Sequence, residues 1–424
     1  MDKGRLPPGP AEAFSSSGDL LGWLVALFAL FGSIFEARID GFRTYVVSDP
    51  AMAEHVLRTN WQNYEKGWSS RRIGFLLGNG LMTSEGELWQ TQRRMIQPAF
   101  HERALGRFSD AIVSANEALR VRWMAAAQRG EAVNVTRDVS HLTLDIMLAV
   151  LFSDDAPEVL PPFRILSDET QRDLHFAQEF RRLRHVVGER IAARRAAPSQ
   201  RPDILGMLLA ARNRAGTPMS DEQLVSEIMT LIVAGHETTA SALGWTWYLL
   251  ATHPAVEEKL AHEIAGAAPA LMKLDCFPYA QHVLGEVLRL YPPGWLLTRK
   301  ALRDDRLGDY VVPAGTEIYI SPYLIHRNPA LWLAPERFDP DRFTPERARG
   351  RHPLAHIPFS AGPRNCVGEV LARSEMQIHL MVIARALRFE YTADRPPEIA
   401  AGVNLRSRHD LVMTPRLKTQ ELKV

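Results

Sequence analysis

The stretch Phe359-Ser-Ala-Gly362-Pro-Arg364-Asn-Cys366-Val-Gly368 runs on into Glu369-Val-Leu-Ala-Arg-Ser-Glu-Met376. It sets one of the chain's two cysteines at the entrance of an apolar-periodic segment that reads as a helix. Gly362 and Gly368 let the backbone bend tightly around the sulfur and let a flat group approach it closely. A thiolate there would meet backbone N–H groups and the positive end of the helix, both of which stabilise ionised sulfur. Arg364, two residues earlier, supplies a cation for an anionic group beside it. A buried free cysteine near a glycine turn would leave the other fixed residues unexplained.

The chain around this stretch has 424 residues, 46% of them hydrophobic, enough for one large domain or two ordinary ones. A net charge of +1, with no block of basic residues, argues against a nucleic-acid binder. Two cysteines build no disulfide framework, so Cys276 reads as an inert thiol and the chain as suited to a reducing cytoplasm. Leu20 to Leu30 is apolar but about half the length that spans a bilayer, and no signal-peptide pattern is evident. It reads as a buried or amphipathic first helix of a soluble protein without a membrane anchor.

Phe-x-x-Gly-x-Arg-x-Cys-x-Gly resembles, at every fixed position, the heme-ligating loop of the cytochrome P-450 family. The resemblance implies that Cys366 is the proximal thiolate of a heme b iron, that Arg364 binds a heme propionate, and that Phe359, Gly362 and Gly368 shape the loop. A thiolate opposite the oxygen site pushes electron density onto iron and favours O–O cleavage. The implied fold is mainly α with a small β-rich lobe, a single heme domain over residues 1–424. Its β-containing lobe would take about 1–60, 294–325 and the C-terminal strands, and its helical core about 84–293 and 345–390.

Ser220-Asp-Glu-Gln223 is a capping box, and the apolar residues after it predict a long core helix. In its middle, Ala234-Gly235-His236-Glu237-Thr238-Thr239 places residues poorly suited to a buried helix, which marks a functional site. It is no zinc-protease motif, because position 240 is Ala where a second His is needed. It is similar to the family's oxygen-activating motif. By that resemblance Ala234 and Gly235 leave room for dioxygen, Thr238 supplies a hydroxyl and Glu237 relays the protons that O–O cleavage consumes. His236 reads as facing away from the heme.

Taken in order, Asp40-Gly41 between Ile34–Ile39 and Phe42–Val47 signals a hairpin, and Ser48-Asp-Pro starts a helix to about Arg58. Residues 62–82, with four glycines, read as an irregular loop over a pocket. No glycine-rich cradle for a flavin or nicotinamide is found, so electrons must come from another protein. Trp89 and Arg93 share a helix face at i, i+4 and resemble the family's propionate-holding pair. Residues 106–152 read as two helices. Pro157, Pro161 and Pro162 then break the chain, leaving an abbreviated lid with a long helix from Ser167 to about Arg195. A polar hinge follows around Pro198–Pro202, and Val311–Gly315 with Glu317–Ile320 reads as a hairpin.

Glu286 and Arg289, at i, i+3, resemble the family's buried pair, which locks onto a second arginine and holds the cysteine loop. That second arginine is Arg342, with Arg337 the alternative. Arg299 takes the position of another propionate-binding arginine. Phe75, Leu76, Leu77, Phe163, Ile165, Phe176, Leu296 and Val403 are the apolar candidates for a substrate pocket.

The expected activity is a bacterial-type monooxygenase that hydroxylates or epoxidises a hydrophobic small molecule in natural-product metabolism, free or carrier-protein-bound. A ferredoxin or flavodoxin with its NAD(P)H-dependent reductase would supply electrons, docking on Arg93, Arg94, Arg103, Arg107 and Arg373. The alternatives are a fatty acid or terpenoid hydroxylase, a peroxide-driven peroxygenase, which the intact Glu237–Thr238 pair disfavours, and a heme-based sensor.

Overall fold

The structure is a computed structural model that describes residues 5–15, 18–168, 174–197, 203–265 and 276–418. The hinge expected around Pro198–Pro202 lies outside them. The chain forms two compact units, the first comprising Met1–Phe75, Glu286–Val367 and Ile399–Arg406. The second comprises Leu76–Gly285, Gly368–Glu398 and Ser407–Val424.

The first unit begins with α1 (Leu20–Phe31), started by the Asp19 carboxylate accepting from the Gly22 amide. Its five-stranded sheet contains β1 (Ile34–Ile39), β2 (Phe42–Val47), β3 (Tyr64–Lys66), β4 (Leu297–Ala301) and β5 (Glu317–Ile320), in the order β1-β2-β5-β4-β3. The first hairpin closes on Asp40 (φ 51°) and Gly41 (φ 81°), the paired positive angles that a two-residue type I′ turn requires. β5 joins β2 in parallel and β4 antiparallel. Tyr45, Val47, Ile318 and Ile320 from these strands meet Leu57, Ile325, Ile357 and Ala361 in one buried cluster.

The helix begun by Ser48-Asp-Pro is capped by Asp49, whose carboxylate accepts from Met52, and ends in a π-helical turn at His55–Thr59, as far along as expected. Two sequence expectations change here. Residues 62–82 are ordered largely into β3 and the helix Trp68–Leu77, because Tyr64 buries in the sheet core. Tyr310–Val312 does not pair with Glu317–Ile320. It pairs with Asp305–Leu307, since the intervening turn sends Glu317 onward to β2 and β4.

The second unit is built on helices α2 (Gly86–Ile96), α3 (Ser109–Arg129), α4 (Val135–Phe152), α5 (Leu174–Ala196), α6 (Asp221–Thr252) and α7 (Glu369–Ala384). Both halves of the Ser220–Gln223 capping box form, and α6 runs 32 residues. A buried polar network ties three helices together: Trp247 of α6 donates to His379 Nε2 of α7 at 2.8 Å, and His379 Nδ1 meets Asn116 Oδ1 of α3 at 2.7 Å. Burial pushes His379 down to about 3, so the ring is neutral.

The prolines expected to break residues 157–162 lie within a helix, Ala156–Phe163. Pro157 sits in the first turn, where no intrahelical N–H is needed, and Val159 and Phe163, one turn apart, are both fully buried. Among the described residues no helix is long and apolar enough to cross a membrane.

Candidate functional site

In the first unit the cysteine loop is a tight reversal. Ser360 (φ 62°) and Gly362 (φ 74°) both take left-handed backbone, and the Cys366 amide closes the loop on the Phe359 carbonyl at 2.9 Å. A Cβ on Gly362 would lie 1.9 Å from the Leu57 carbonyl oxygen, so both conformation and space demand glycine. The π-helical turn His55–Thr59 is therefore the wall against which the loop packs. Cys366 is exposed, unlike most free cysteines, and Gly368 is the N-cap of α7.

The donor chemistry fits a heme. Among the described residues no group of three or more His, Cys, Asp or Glu is placed to hold a metal ion. One exposed thiol in a glycine-shaped loop is instead what an iron already held in a macrocycle requires from a protein.

Behind the loop, Glu286, Arg289 and Arg342 converge in a buried cluster. Arg289 donates to Glu286 through Nε (2.6 Å) and Nη2 (2.8 Å), a bidentate pair. Arg342 Nε and the Asp339 amide donate to Glu286 Oε1 at 3.1 and 2.9 Å. Arg337 offers its backbone carbonyl to both arginines. Further donors of Arg289 are taken by the His326 and Pro335 carbonyls, so two cations and one anion are tolerated inside the protein.

His326 is a residue that sequence reasoning missed. Its Nδ1 meets the Arg289 carbonyl at 3.2 Å, and its Nε2 accepts from the Ile357 amide at 2.9 Å. An accepting Nε2 assigns the proton to Nδ1. Burial first, then the charges of His356 and Arg289, hold the ring well below the usual histidine range. A continuous path thus runs from Glu286 through Arg289 and His326 to Ile357, two residues before Phe359.

In the second unit, Ala234 to Thr239 lie in the middle of α6. Thr238 donates its hydroxyl proton to the Ala234 carbonyl at 2.7 Å, and Thr239 does the same to Gly235 at 3.0 Å. These back-bonds leave the Thr238 oxygen lone pairs to accept from a donor in front of it. Gly235 does not leave the expected space: a Cβ there would point into Met147 of α4, at 2.0 Å from its methyl, so its smallness serves helix packing. His236 is fully buried, and Thr143 of α4 donates to its carbonyl.

Trp89 is buried on α2, where Arg93 bonds Gln97 Oε1 at 3.2 Å, and Arg299 is buried on β4. Arg94, Arg103 and Arg107 are exposed, whereas Arg373 pairs with Glu369.

The apolar candidates separate. Phe163 and Leu77 are packed shut in the helical unit, so neither presents surface to a ligand. Leu76, Ile165 and Leu296 keep partial exposure, Phe75 and Val403 are 89% and 72% exposed, and the Phe176 side chain lies outside the described residues.

The family model described as Cytochrome P450 matches residues 13–158 and 155–416. Cyclooctatin synthase of Streptomyces melanosporofaciens is 32% identical over 90% of this chain and 87% of that protein. Cyclooctat-9-en-7-ol 5-monooxygenase of the same organism is 33% identical over 84% of this chain and 82% of its own length. Protein LUTEIN DEFICIENT 5, chloroplastic, of Arabidopsis thaliana is 29% identical over 95% and 75%. Among solved structures, a retinoic acid bound cyanobacterial CYP120A1 superposes with a TM-score of 0.86 at 26% identity, covering 98% of this chain and 100% of that one.

Proposed function

Because the chain belongs to the cytochrome P450 family, and is as such a monooxygenase carrying heme b, we propose that it oxygenates an isoprenoid-type hydrophobic molecule in the cytoplasm. The observation that carries the chemistry is the Cys366 loop: an exposed thiol, a glycine that no other residue can replace, and a buried Glu–Arg–His path behind it. Bound there, heme b supplies the redox iron at which dioxygen is reduced and one oxygen atom delivered to substrate.

The residues of this chain have the following roles in the proposal. Cys366 would hold the heme iron through its thiolate, and the path through His326 keeps its loop from shifting. Arg364, Arg299, Arg93 and the Trp89 indole are the donors that heme propionates would use. The Thr238 oxygen accepts a hydrogen bond from a water or acid that carries protons inward, and the half-buried Glu237 beside it exchanges them with solvent. Ala234 keeps the adjoining turn open. Electrons come from a ferredoxin or flavodoxin served by an NAD(P)H-dependent reductase, and the exposed Arg94, Arg103 and Arg107 offer cations to such an acidic partner.

The substrate class rests on the relatives. One is named for oxygenating cyclooctat-9-en-7-ol, another is a carotene epsilon-monooxygenase, and a third binds retinoic acid, all hydrocarbon-rich molecules. The test is an optical titration of the ferric protein with retinoic acid, β-ionone, lauric acid and a carrier-protein-bound acyl chain. A high-spin shift with the isoprenoids alone supports the reading. A shift only with lauric acid, or only with the carrier-bound chain, overturns it.

A further inference from the structure

Segment 77–84 joins the helix Trp68–Leu77 to α2, and side chains from three helices of the second unit hold it. Glu227 of α6, fully buried, accepts from the Leu81 amide at 2.8 Å. Arg184 of α5 donates to the Leu77 carbonyl at 2.9 Å and reaches Ser226 Oγ at 3.4 Å. Gln92 of α2 donates to the Asn79 carbonyl at 2.7 Å and accepts from Ser84 Oγ at 2.5 Å. A connection lying in water needs no such holding, because solvent satisfies its backbone groups. Here a fully buried glutamate side chain has been placed as the acceptor of a loop amide, a bond that no solvent can replace.

Helical phase shows where the segment lies. Ser226, Thr230, Ala234 and Thr238 follow one another at four-residue steps, each turned about 40° from the last, so they form a slowly winding stripe along α6. A Cβ on Gly78 would meet Ser226 Oγ at 2.6 Å. One on Gly80 would meet Thr230 Oγ1 at 2.2 Å and the Ser226 carbonyl at 2.6 Å. The segment therefore lies against α6 at Ser226 and Thr230, and its Gly80 sits at Thr230, one turn before Ala234. Gly80 lies so close that the Thr230 hydroxyl is sealed beneath it, buried without a hydrogen-bond partner among the described residues. Thr238, Thr239 and Thr246 on the same helix instead bond back to the carbonyl four residues earlier.

We propose that Glu227 and Arg184 are specificity-determining residues. By fastening segment 77–84 onto α6 at Ser226 and Thr230, they fix the wall next to Ala234 and set the size of molecule admitted there. The inference rests on the proposed role of the Ala234–Thr238 turn. Neither residue touches the reacting atoms; they act through the position of the segment, and α5 is tied to that position through Arg184.

The experiment uses heme-loaded protein and two azoles that bind iron through nitrogen, small imidazole and bulky clotrimazole. Dissociation constants come from the optical shift, and hydrogen exchange is followed at the Leu81 amide. In Glu227→Ala, exchange at Leu81 accelerates and the ratio of imidazole to clotrimazole dissociation constants rises about tenfold, the loosening expected from leaving the buried Leu81 amide without its acceptor. Gly80→Ala, which lifts the segment while leaving every charge in place, moves the ratio the same way, as does Arg184→Ala. Glu227→Gln, which keeps an acceptor for Leu81, stays within about twofold of wild type. A ratio unchanged in both Glu227→Ala and Gly80→Ala, or Leu81 exchange that does not accelerate in Glu227→Ala, overturns the proposal. The reduced carbon monoxide spectrum of the same wild-type sample separates the two levels. A missing thiolate band removes the heme reading and this inference together, whereas an intact band with an unchanged ratio removes the clamp alone.

Discussion

Replacing His326 by Phe tests the path behind the cysteine loop. The ring volume stays, in contact with His356 at 5.1 Å between centroids, so the packing term changes little. Two buried polar groups lose their partner, the Ile357 amide and the Arg289 carbonyl. Each stranded group costs about 1–3 kcal/mol, so the variant should lose roughly 2–6 kcal/mol. Urea unfolding of the heme-loaded variant measures the loss, and the reduced carbon monoxide spectrum measures loop geometry two residues beyond Ile357. The expected result is a lower midpoint with part of the heme shifted out of the thiolate form. The pH dependence gives a second readout. Folded His326 sits well below the usual range, so protonation favours the unfolded chain. Its stability contribution is complete above the ordinary histidine value and is lost as pH falls below it toward the folded value. His326→Phe should remove that component. A loss under about 0.5 kcal/mol together with a full thiolate spectrum would refute the reasoning.

Four other outcomes follow from the same geometry. Glu286→Gln leaves two buried guanidinium groups without an anion and should cost about 3–5 kcal/mol, read as loss of retained heme and a lower urea midpoint. Gly362→Ala drives a Cβ into the Leu57 carbonyl at φ 74° and should abolish the thiolate spectrum in purified protein, while Gly130→Ala, at a similar φ with nothing within 4 Å of its Cβ, leaves it intact. Thr238→Ala should divert reducing equivalents into hydrogen peroxide, with product per NAD(P)H falling about tenfold and Thr238→Ser restoring most of it. His379, held at about 3, should make stability fall as pH drops from about 6.5 toward 3, by up to about 1.4 kcal/mol per pH unit, a slope that His379→Gln reduces.

Local signals carried much of this structure. The Ser220–Gln223 box, the Asp40-Gly41 turn and the fixed residues around Cys366 each act over a few positions, so their physics is complete in the sequence. Of the two arginines at Pro335–Phe343, motif order already favoured Arg342, and the geometry agrees: Arg342 reaches Glu286 with its side chain, and Arg337 turns a carbonyl toward the cluster. The role of His326 was invisible because a lone histidine before Arg-Asn-Pro signals nothing until its two partners, 37 and 31 residues away, are known. Gly235 misled because a small residue in a buried helix fits an open space and a close neighbour equally well, and Met147 is a tertiary fact. The prolines at 157–162 misled for a similar reason: burial of Val159 and Phe163 outweighs local propensity.

The most direct measurement is the reduced carbon monoxide difference spectrum of freshly purified, heme-loaded protein, beside that of Cys366→Ser. The account predicts the long-wavelength band of thiolate-ligated heme in the wild type and its disappearance in the variant. A wild-type spectrum without that band, or a band that survives loss of the Cys366 sulfur, would contradict it.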